Sequence, residues 1–325
     1  MSKNKLKLAF YWAASCGGCE IAVLDINEKI LDVVQIADIV FWPVALDIKY
    51  KDVENMPDKY IDITFFNGSI RNSEQEHMAK ILRQKSKTLV AFGSCAHEGC
   101  IPGLANLHNS KEILEYVYQK EKGLVNPAGT IPKTETKVKE GTLNIPEFYD
   151  TVKTLAQTVE VDYYLPGCPP PVKLIANAID AIEKNALPPK GSILAPLKAV
   201  CDECPRTREN KKITKLYRLY DKEPEPEKCL LEQGILCMGP ATRSGCEAQC
   251  LKVDMPCTGC GGPGPNMPEL GSGMISALAS ILGYDEKGLS QEAVEKLMSQ
   301  IVDPVGTFYM YSLPASILRR KVMKK

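Results

Sequence analysis

Apolar and polar positions change rhythm several times along the chain, and each rhythm predicts an element. "LKLAFYW" (Leu6–Trp12) is an almost continuous apolar run, which predicts a buried strand. "EIAVLDINEKILDVV" (Glu20–Val34) carries apolar residues at helical spacing. "ADIVFW" (Ala37–Trp42), "IDITFFNG" (Ile61–Gly68) and "TLVAFG" (Thr88–Gly93) are further short strands of the buried kind. Ser73 and Glu76 form a capping box that opens a helix through "SEQEHMAKILRQKS". "EFYDTVKTLAQTV" (Glu147–Val159) reads as a helix, and "VDYYLPG" (Val161–Gly167) as a strand ended by its proline. "VKLIANAIDAIEK" (Val172–Lys184) is an amphipathic helix. The segment Asn126–Pro146, rich in Gly, Thr, Lys and Pro, is expected to be a surface excursion. Strands of continuous apolar character alternating with helices predict an α/β fold with a parallel, doubly wound sheet.

The regular rhythm stops near "LPPKGSILAP" (Leu187–Pro196). Two domains are therefore expected, over residues 1–190 and 191–325, the second irregular and rich in cysteine. Helical spacing returns between Met274 and Ile301, and the tail "RRKVMKK" reads as a solvated end.

Composition narrows the classes. The chain has 325 residues, and 44% of them are hydrophobic, enough for a sizeable core. Its 40 basic and 40 acidic side chains cancel, with no basic block of the kind a nucleic-acid binder needs. No apolar run approaches the roughly 18 residues of a membrane span. The start "MSKNKLKLAF" holds no long apolar leader core and no twin arginine, so a cytoplasmic protein is expected. In a reducing compartment its 13 cysteines point to metal or redox chemistry sooner than to disulfides.

Four of them share one property. Cys16 and Cys19 follow the first strand, in "SCGGCE"; Cys95 follows Thr88–Gly93, in "GSCAHEGC"; Cys168 follows the strand ending at Leu165, in "PGCPPP". In an open parallel sheet the carboxyl ends of the strands lie on one edge, where ligands bind. Three loops would then bring four thiolates together, flanked by glycine or proline that lets backbone approach a bulky group. Four thiolates are the complement of a [4Fe–4S] cluster, with a structural zinc as the alternative. Zinc sites usually come as two nearby pairs, and a redox dithiol needs no third or fourth cysteine.

Eight more cysteines are packed between residues 201 and 260. The simplest nested partition groups Cys201, Cys204, Cys229 and Cys237, then Cys246, Cys250, Cys257 and Cys260. Glycines and prolines crowd the second set, leaving backbone N–H groups free to face sulfur. A pair of zinc ribbons would explain only the outer C-x2-C pairs. Three sites of four use twelve of the thirteen cysteines and leave Cys100 over as a spectator. Of the three histidines, His97 stands near Cys95, and an ordinary packing role suits it as well as a site role.

These motifs together resemble the small, electron-transfer subunits of [NiFe] hydrogenases, over nearly the whole chain. The likeness is greatest to the methyl-viologen-reducing type found with heterodisulfide reductase. It implies a flavodoxin-like first domain with a proximal cluster held by "CGGC" (Cys16, Cys19), "GSCA" (Cys95) and "PGCPPP" (Cys168). "GCIPGLAN" is similar to a family stretch in which glycine usually stands at the position of Cys100. "CDEC" stands where the better-known periplasmic members have H-x2-C, so Cys201 takes the place of a histidine. With Cys204, Cys229 and Cys237 it would hold the distal cluster. The medial cluster of those members often has three cysteines, matched by Cys246, Cys257 and Cys260; Cys250 offers a fourth, so a [4Fe–4S] medial cluster is expected.

Three [4Fe–4S] clusters would then link a partner large subunit, which holds the nickel–iron centre, to an iron–sulfur or flavin acceptor, expected to belong to a heterodisulfide reductase complex. No catalytic residue is expected on this chain. Glu20 reads as a first-turn helix carboxylate favoured by the dipole. The competing readings are a structural zinc protein and a quinone-reductase-type subunit, whose resemblance stops at the first domain.

Overall fold

The computed structural model describes residues 5–282 and 290–321. Five parallel strands form its sheet: β1 (Leu6–Trp12), β2 (Ala37–Phe41), β3 (Ile61–Asn67), β4 (Ser86–Phe92) and β5 (Tyr163–Leu165), in the order β2-β1-β3-β4-β5. That order is the flavodoxin-like one, with its switch point between the loops after β1 and β3.

Alternate side chains of each strand enter opposite cores, as the period of two requires. Leu8, Phe10, Ile63, Phe65, Val90 and Phe92 pack on one face, against Ala22 and Val23 of α1 (Gly18–Leu24), Val33 of α2 (Ile30–Ile36), and Leu174, Ile175 and Ala178. Ala9, Tyr11, Phe66, Leu89 and Ala91 face the other way, onto Met78, Ala79 and Leu82 of α3 (Ser73–Lys85). Two buried faces explain why the strands read as continuous apolar runs. Leu174, Ile175 and Ala178 lie on α5 (Val172–Glu183), the amphipathic helix expected there; α4 (Ser94–Glu98) is a short turn directly after β4. A third core joins Val200, Leu230, Met238, Leu251 and Leu270 with Phe308 and Leu313 in the cysteine-rich region. Helix α6 (Leu270–Ile281) packs into it through Leu270, Met274 and Leu278. Among the described residues, no helix is long and apolar enough to cross a membrane.

Several local expectations are corrected. Glu147–Val159 is not a helix: Phe148–Lys153 is a strand, antiparallel to Ile70–Asn72, followed by a 3-10 turn at Leu155–Gln157. Phe148, Tyr149, Thr151 and Val152 are aromatic or β-branched, and in this segment their strand preference prevails over the helical spacing. Glu20–Val34 is two helices, parted by a 3-10 turn at Asn27–Lys29 where Asn27 takes a left-handed φ of 54°. The capping box of α3 is Asn72 with Gln75, one residue earlier than expected: Asn72 Oδ1 accepts from Gln75 N at 2.9 Å. Ser73 Oγ is already engaged, accepting from Glu147 N at 2.9 Å. The Asn126–Pro146 excursion is exposed as expected and carries the hairpin Glu135–Val138 and Gly141–Asn144. The helical stretch expected between Met274 and Ile301 falls within α6 and a second helix, Gln291–Met298; its middle, and the end of the basic tail, lie outside the described residues.

Candidate metal centres

The loops at the carboxyl edge of the sheet bring the first four cysteines to neighbouring positions. Cys16 is exposed and precedes α1; Cys19 is buried in its first turn. Cys95 is buried in α4, and Cys168 lies just past β5 at a cis Cys168–Pro169 peptide. The loops after β4 and β5 are tied together. Ser94 N donates to Gly167 O at 2.8 Å, and Gly167 N donates back to Ser94 Oγ at 3.2 Å. Ser94 Oγ in turn donates to Cys260 O at 2.5 Å, which links this edge to the cysteine-rich region. Burial, then the nearby Cys168, Glu20, Cys16 and Cys100, push the Cys19 thiol well above its ordinary range. A Cβ on Gly93 would stand 2.3 Å from Cys19 Sγ, so the glycine keeps that sulfur's space open.

Glu20 lies in the first turn of α1, as expected, and is buried there. It accepts from Trp42 Nε1 at 2.5 Å and from Asn67 Nδ2 at 3.3 Å, so it fastens α1 to the ends of β2 and β3 beside Cys19. Burial raises its pKa, against the pull of those two hydrogen bonds.

The second group is Cys201, Cys204, Cys229 and Cys237. All four line one cavity of about 370 Å³, together with Arg208, Lys211 and Lys212. Burial and the neighbouring Cys237 push the Cys201 thiol up to about 12. Cys237 is pushed up to about 11 by burial, partly offset by the N–H groups of Gly239 and Cys257 that face its sulfur, the latter at 3.4 Å. A Cβ on Gly239 would lie 3.2 Å from Cys201 Sγ and 3.5 Å from Cys237 Sγ.

Cys246, Cys250, Cys257 and Cys260 form the third group. Burial pushes Cys260 up to about 11, against the Cys168 backbone N–H that faces it, and Cys246, Cys168 and Cys250 are its neighbouring thiols. Cys257 neighbours Cys237 of the second group as well as Cys260. Sequence reasoning missed Glu203, beside Cys204, which clamps the loop carrying Cys246: its carboxylate accepts from Gly245 N and from Glu247 N, each at 3.0 Å. An acceptor one residue from a cysteine carries no motif of its own.

His97 is held as a neutral packing side chain. Its ring lies 4.7 Å from that of Tyr164, and burial, helped by Arg243, pushes it down to about 4. Its Nε2 is 3.1 Å from Glu98, whose carboxyl burial pushes up to about 7. His77 and His108 sit on the surface beside Glu54 and Glu112.

Thiols with glycine beside the sulfurs and backbone N–H groups aimed at them, as at Cys237, fit iron–sulfur ligation. Among the described residues, no three Cys, His, Asp or Glu side chains are gathered around one point.

Comparison with known proteins adds a family to this geometry. Residues 16–182 match the family described as NADH ubiquinone oxidoreductase, 20 Kd subunit. An F420-non-reducing hydrogenase iron-sulfur subunit from Archaeoglobus profundus is 44% identical, over 98% of this chain and 99% of the relative. An F420-non-reducing hydrogenase subunit from Methanothermobacter marburgensis is 35% identical, over 99% of each. A chain of an NAD+-reducing [NiFe]-hydrogenase in the H2-reduced state is 26% identical, covering 57% of this chain and 94% of that one, with a TM-score of 0.49. The chain belongs to the family of hydrogenase small subunits, in its branch of F420-non-reducing iron–sulfur subunits.

Proposed function

We propose that this chain is the electron-transfer subunit of a cytoplasmic [NiFe] hydrogenase, with dihydrogen chemistry on a partner large subunit. When bound, three [4Fe–4S] clusters would supply one-electron carriage between that partner and an acceptor. Cys16, Cys19, Cys95 and Cys168 would hold the proximal cluster. Cys246, Cys250, Cys257 and Cys260 would hold the medial one, and Cys201, Cys204, Cys229 and Cys237 the distal one. The division at about residue 190 belongs to the same proposal, the sheet domain carrying one site and the remainder two.

One observation above all supports the reading: Cys201, Cys204, Cys229 and Cys237, one of the fours that the sequence groups, line a single cavity. The chain's own residues do the rest of the work. Burial removes water from the sulfurs, and N–H groups such as those of Gly239 and Cys257 stabilise charge on them. The partner surface is supported by the helices after the exposed Cys16. Ile21, Leu24, Leu31 and Val34 of α1 and α2 are 45–61% exposed, an apolar outer face that a free protein would rarely keep. Arg208, Lys211 and Lys212 beside the distal cysteines suit an acidic acceptor surface. An iron–sulfur or flavin subunit of a heterodisulfide reductase complex is the acceptor proposed.

Anaerobic purification followed by metal and acid-labile sulfide analysis tests this directly. About twelve iron and twelve sulfide per chain are expected for three four-iron clusters. A colourless protein carrying two or three zinc ions would end the reading. Cys250→Ala is expected to remove about one iron per chain and alter the medial EPR signal, because one of four thiolate ligands is gone. An unchanged signal with full iron would make Cys250 a bystander.

A further inference from the structure

A single hydroxyl joins loops that belong to two different cysteine groups. Ser94 opens α4 directly before Cys95 and is 1% exposed. Its Oγ accepts from Gly167 N at 3.2 Å, on the loop that carries Cys168. The same Oγ donates to Cys260 O at 2.5 Å. A hydroxyl can accept and donate at once, which an alanine in its place could not. Beside this bridge the backbone N–H of Cys168 faces the sulfur of Cys260. The next junction does not involve Ser94: Cys257 N donates to Cys237 Sγ at 3.4 Å, and Met238 N to Cys257 O at 2.8 Å. Backbone N–H groups thus meet sulfur from the first group to the third, and from the third to the second. That is the order in which the proposed carriers follow one another.

We propose that Ser94 is a positioning residue for the electron step between the proximal and medial sites, its hydroxyl holding the Cys168 N–H against the Cys260 sulfur and so fixing the coupling of the two sites. One electron leaves the first site and enters the second; no bond forms or breaks and no proton moves. Such coupling weakens steeply wherever a gap opens in the bonded path, because electronic overlap decays with distance. Without the hydroxyl, the Gly167 N–H and the Cys260 C=O lose this partner. Buried polar groups without partners are costly, so the loops part or take in water. Tyr311 keeps the two regions together in its absence. Its C=O accepts from Cys100 N at 3.0 Å, and its hydroxyl lies 3.2 Å from Thr258 Oγ1. This inference rests on the proximal and medial assignments proposed above.

The test compares wild type, Ser94→Ala and Ser94→Thr in the anaerobically purified complex. Iron content is read first, then the EPR spectrum of the reduced complex, in which neighbouring reduced clusters split each other's signals by an amount set by their coupling. Full iron is expected in all three, since no ligand is removed. Ser94→Ala should reduce the proximal–medial splitting and slow the filling of the medial site after rapid mixing with dihydrogen. Its medial–distal splitting should stay at the wild-type value. Ser94→Thr, which keeps the hydroxyl, should retain both splittings. An unchanged proximal–medial splitting in Ala would overturn the proposal. Loss of iron in Ala, or a reduction of both splittings, would overturn it too, since that is a general failure of packing. A Thr variant altered as far as Ala would do the same, because the hydroxyl would then not be the cause. A wild-type complex without clusters would instead overturn the functional reading, and this inference with it.

Discussion

Gly93→Ala is expected to strip the first cysteine group of its iron although it removes no ligand. Gly93 has φ 82° and ψ 163°, a region that is essentially glycine's alone. A methyl group there would lie 2.3 Å from Cys19 Sγ, 3.5 Å from Gly167 O and 3.6 Å from Pro170 Cδ. Cys19 cannot retreat freely, because α1 is fastened through Glu20 to Trp42 and Asn67. Gly93 cannot retreat either: its N–H donates to Leu165 O at 2.8 Å and its C=O accepts from His97 N at 3.1 Å. Iron analysis should show a loss of about a third, with the other two groups still loaded. Gly123→Ala is the control, since Gly123 also has a positive φ, of 84°, but nothing within 4 Å of the added methyl. If the two variants held equal iron, the close approach at Cys19 would not matter.

The largest effect on stability is expected at Asp162, where β5 enters the sheet. Its side chain is 2% exposed. It accepts from Arg83 Nη1 at 2.6 Å and from Leu89 N at 2.8 Å, and pairs with Lys190 at 2.6 Å. Removing Asp162 leaves the buried Leu89 N–H without its acceptor and Arg83 with backbone acceptors alone, among them Ser86 O and Lys87 O, so Asp162→Ala should destabilise by about 3 kcal/mol. Denaturant unfolding of wild type and variant measures this, and a loss below about 1 kcal/mol would place the pair among surface bridges of little value. The pair also predicts a pH dependence. Burial acts to raise the Asp162 pKa, but the hydrogen bonds from Arg83, Lys190 and Leu89 outweigh it and the net shift is downward. A carboxyl depressed in the folded state contributes its stability fully above its unfolded value near 3.9, and loses it as pH falls toward the folded one. Asp162→Asn should therefore lose less stability than wild type below about pH 4.

How much is legible in the sequence depends on how local the cause is. The strands are legible because both faces of the sheet are covered, which confines the polar positions of "LKLAFYW" and "TLVAFG" to Lys7 and Thr88 near their starts. The carboxyl edge is legible for the same reason, since four cysteines follow the ends of those runs. Phe148–Lys153 is not, because its partner, Ile70–Asn72, lies far away in the chain, and pairing decides its form. The start of α3 is ambiguous because "NSEQE" holds two overlapping capping boxes; Glu147 withdraws Ser73 from one of them. Glu20, Glu203 and Ser94 are beyond reach for one shared reason. Each acts through a contact that only the folded chain creates: with Trp42 and Asn67, with the Cys246 loop, and with Gly167 and Cys260.

The central claim is that this chain carries electrons for a hydrogen-splitting centre it does not itself contain. Dihydrogen added to the purified complex tests it most directly, with dithionite as the positive control. The iron–sulfur absorption of the complex should bleach under dihydrogen to nearly the extent that dithionite achieves. The isolated chain, reconstituted with iron and sulfide, should bleach with dithionite only. Bleaching of the isolated chain by dihydrogen, or a loaded complex that answers dithionite and not dihydrogen, would contradict the account.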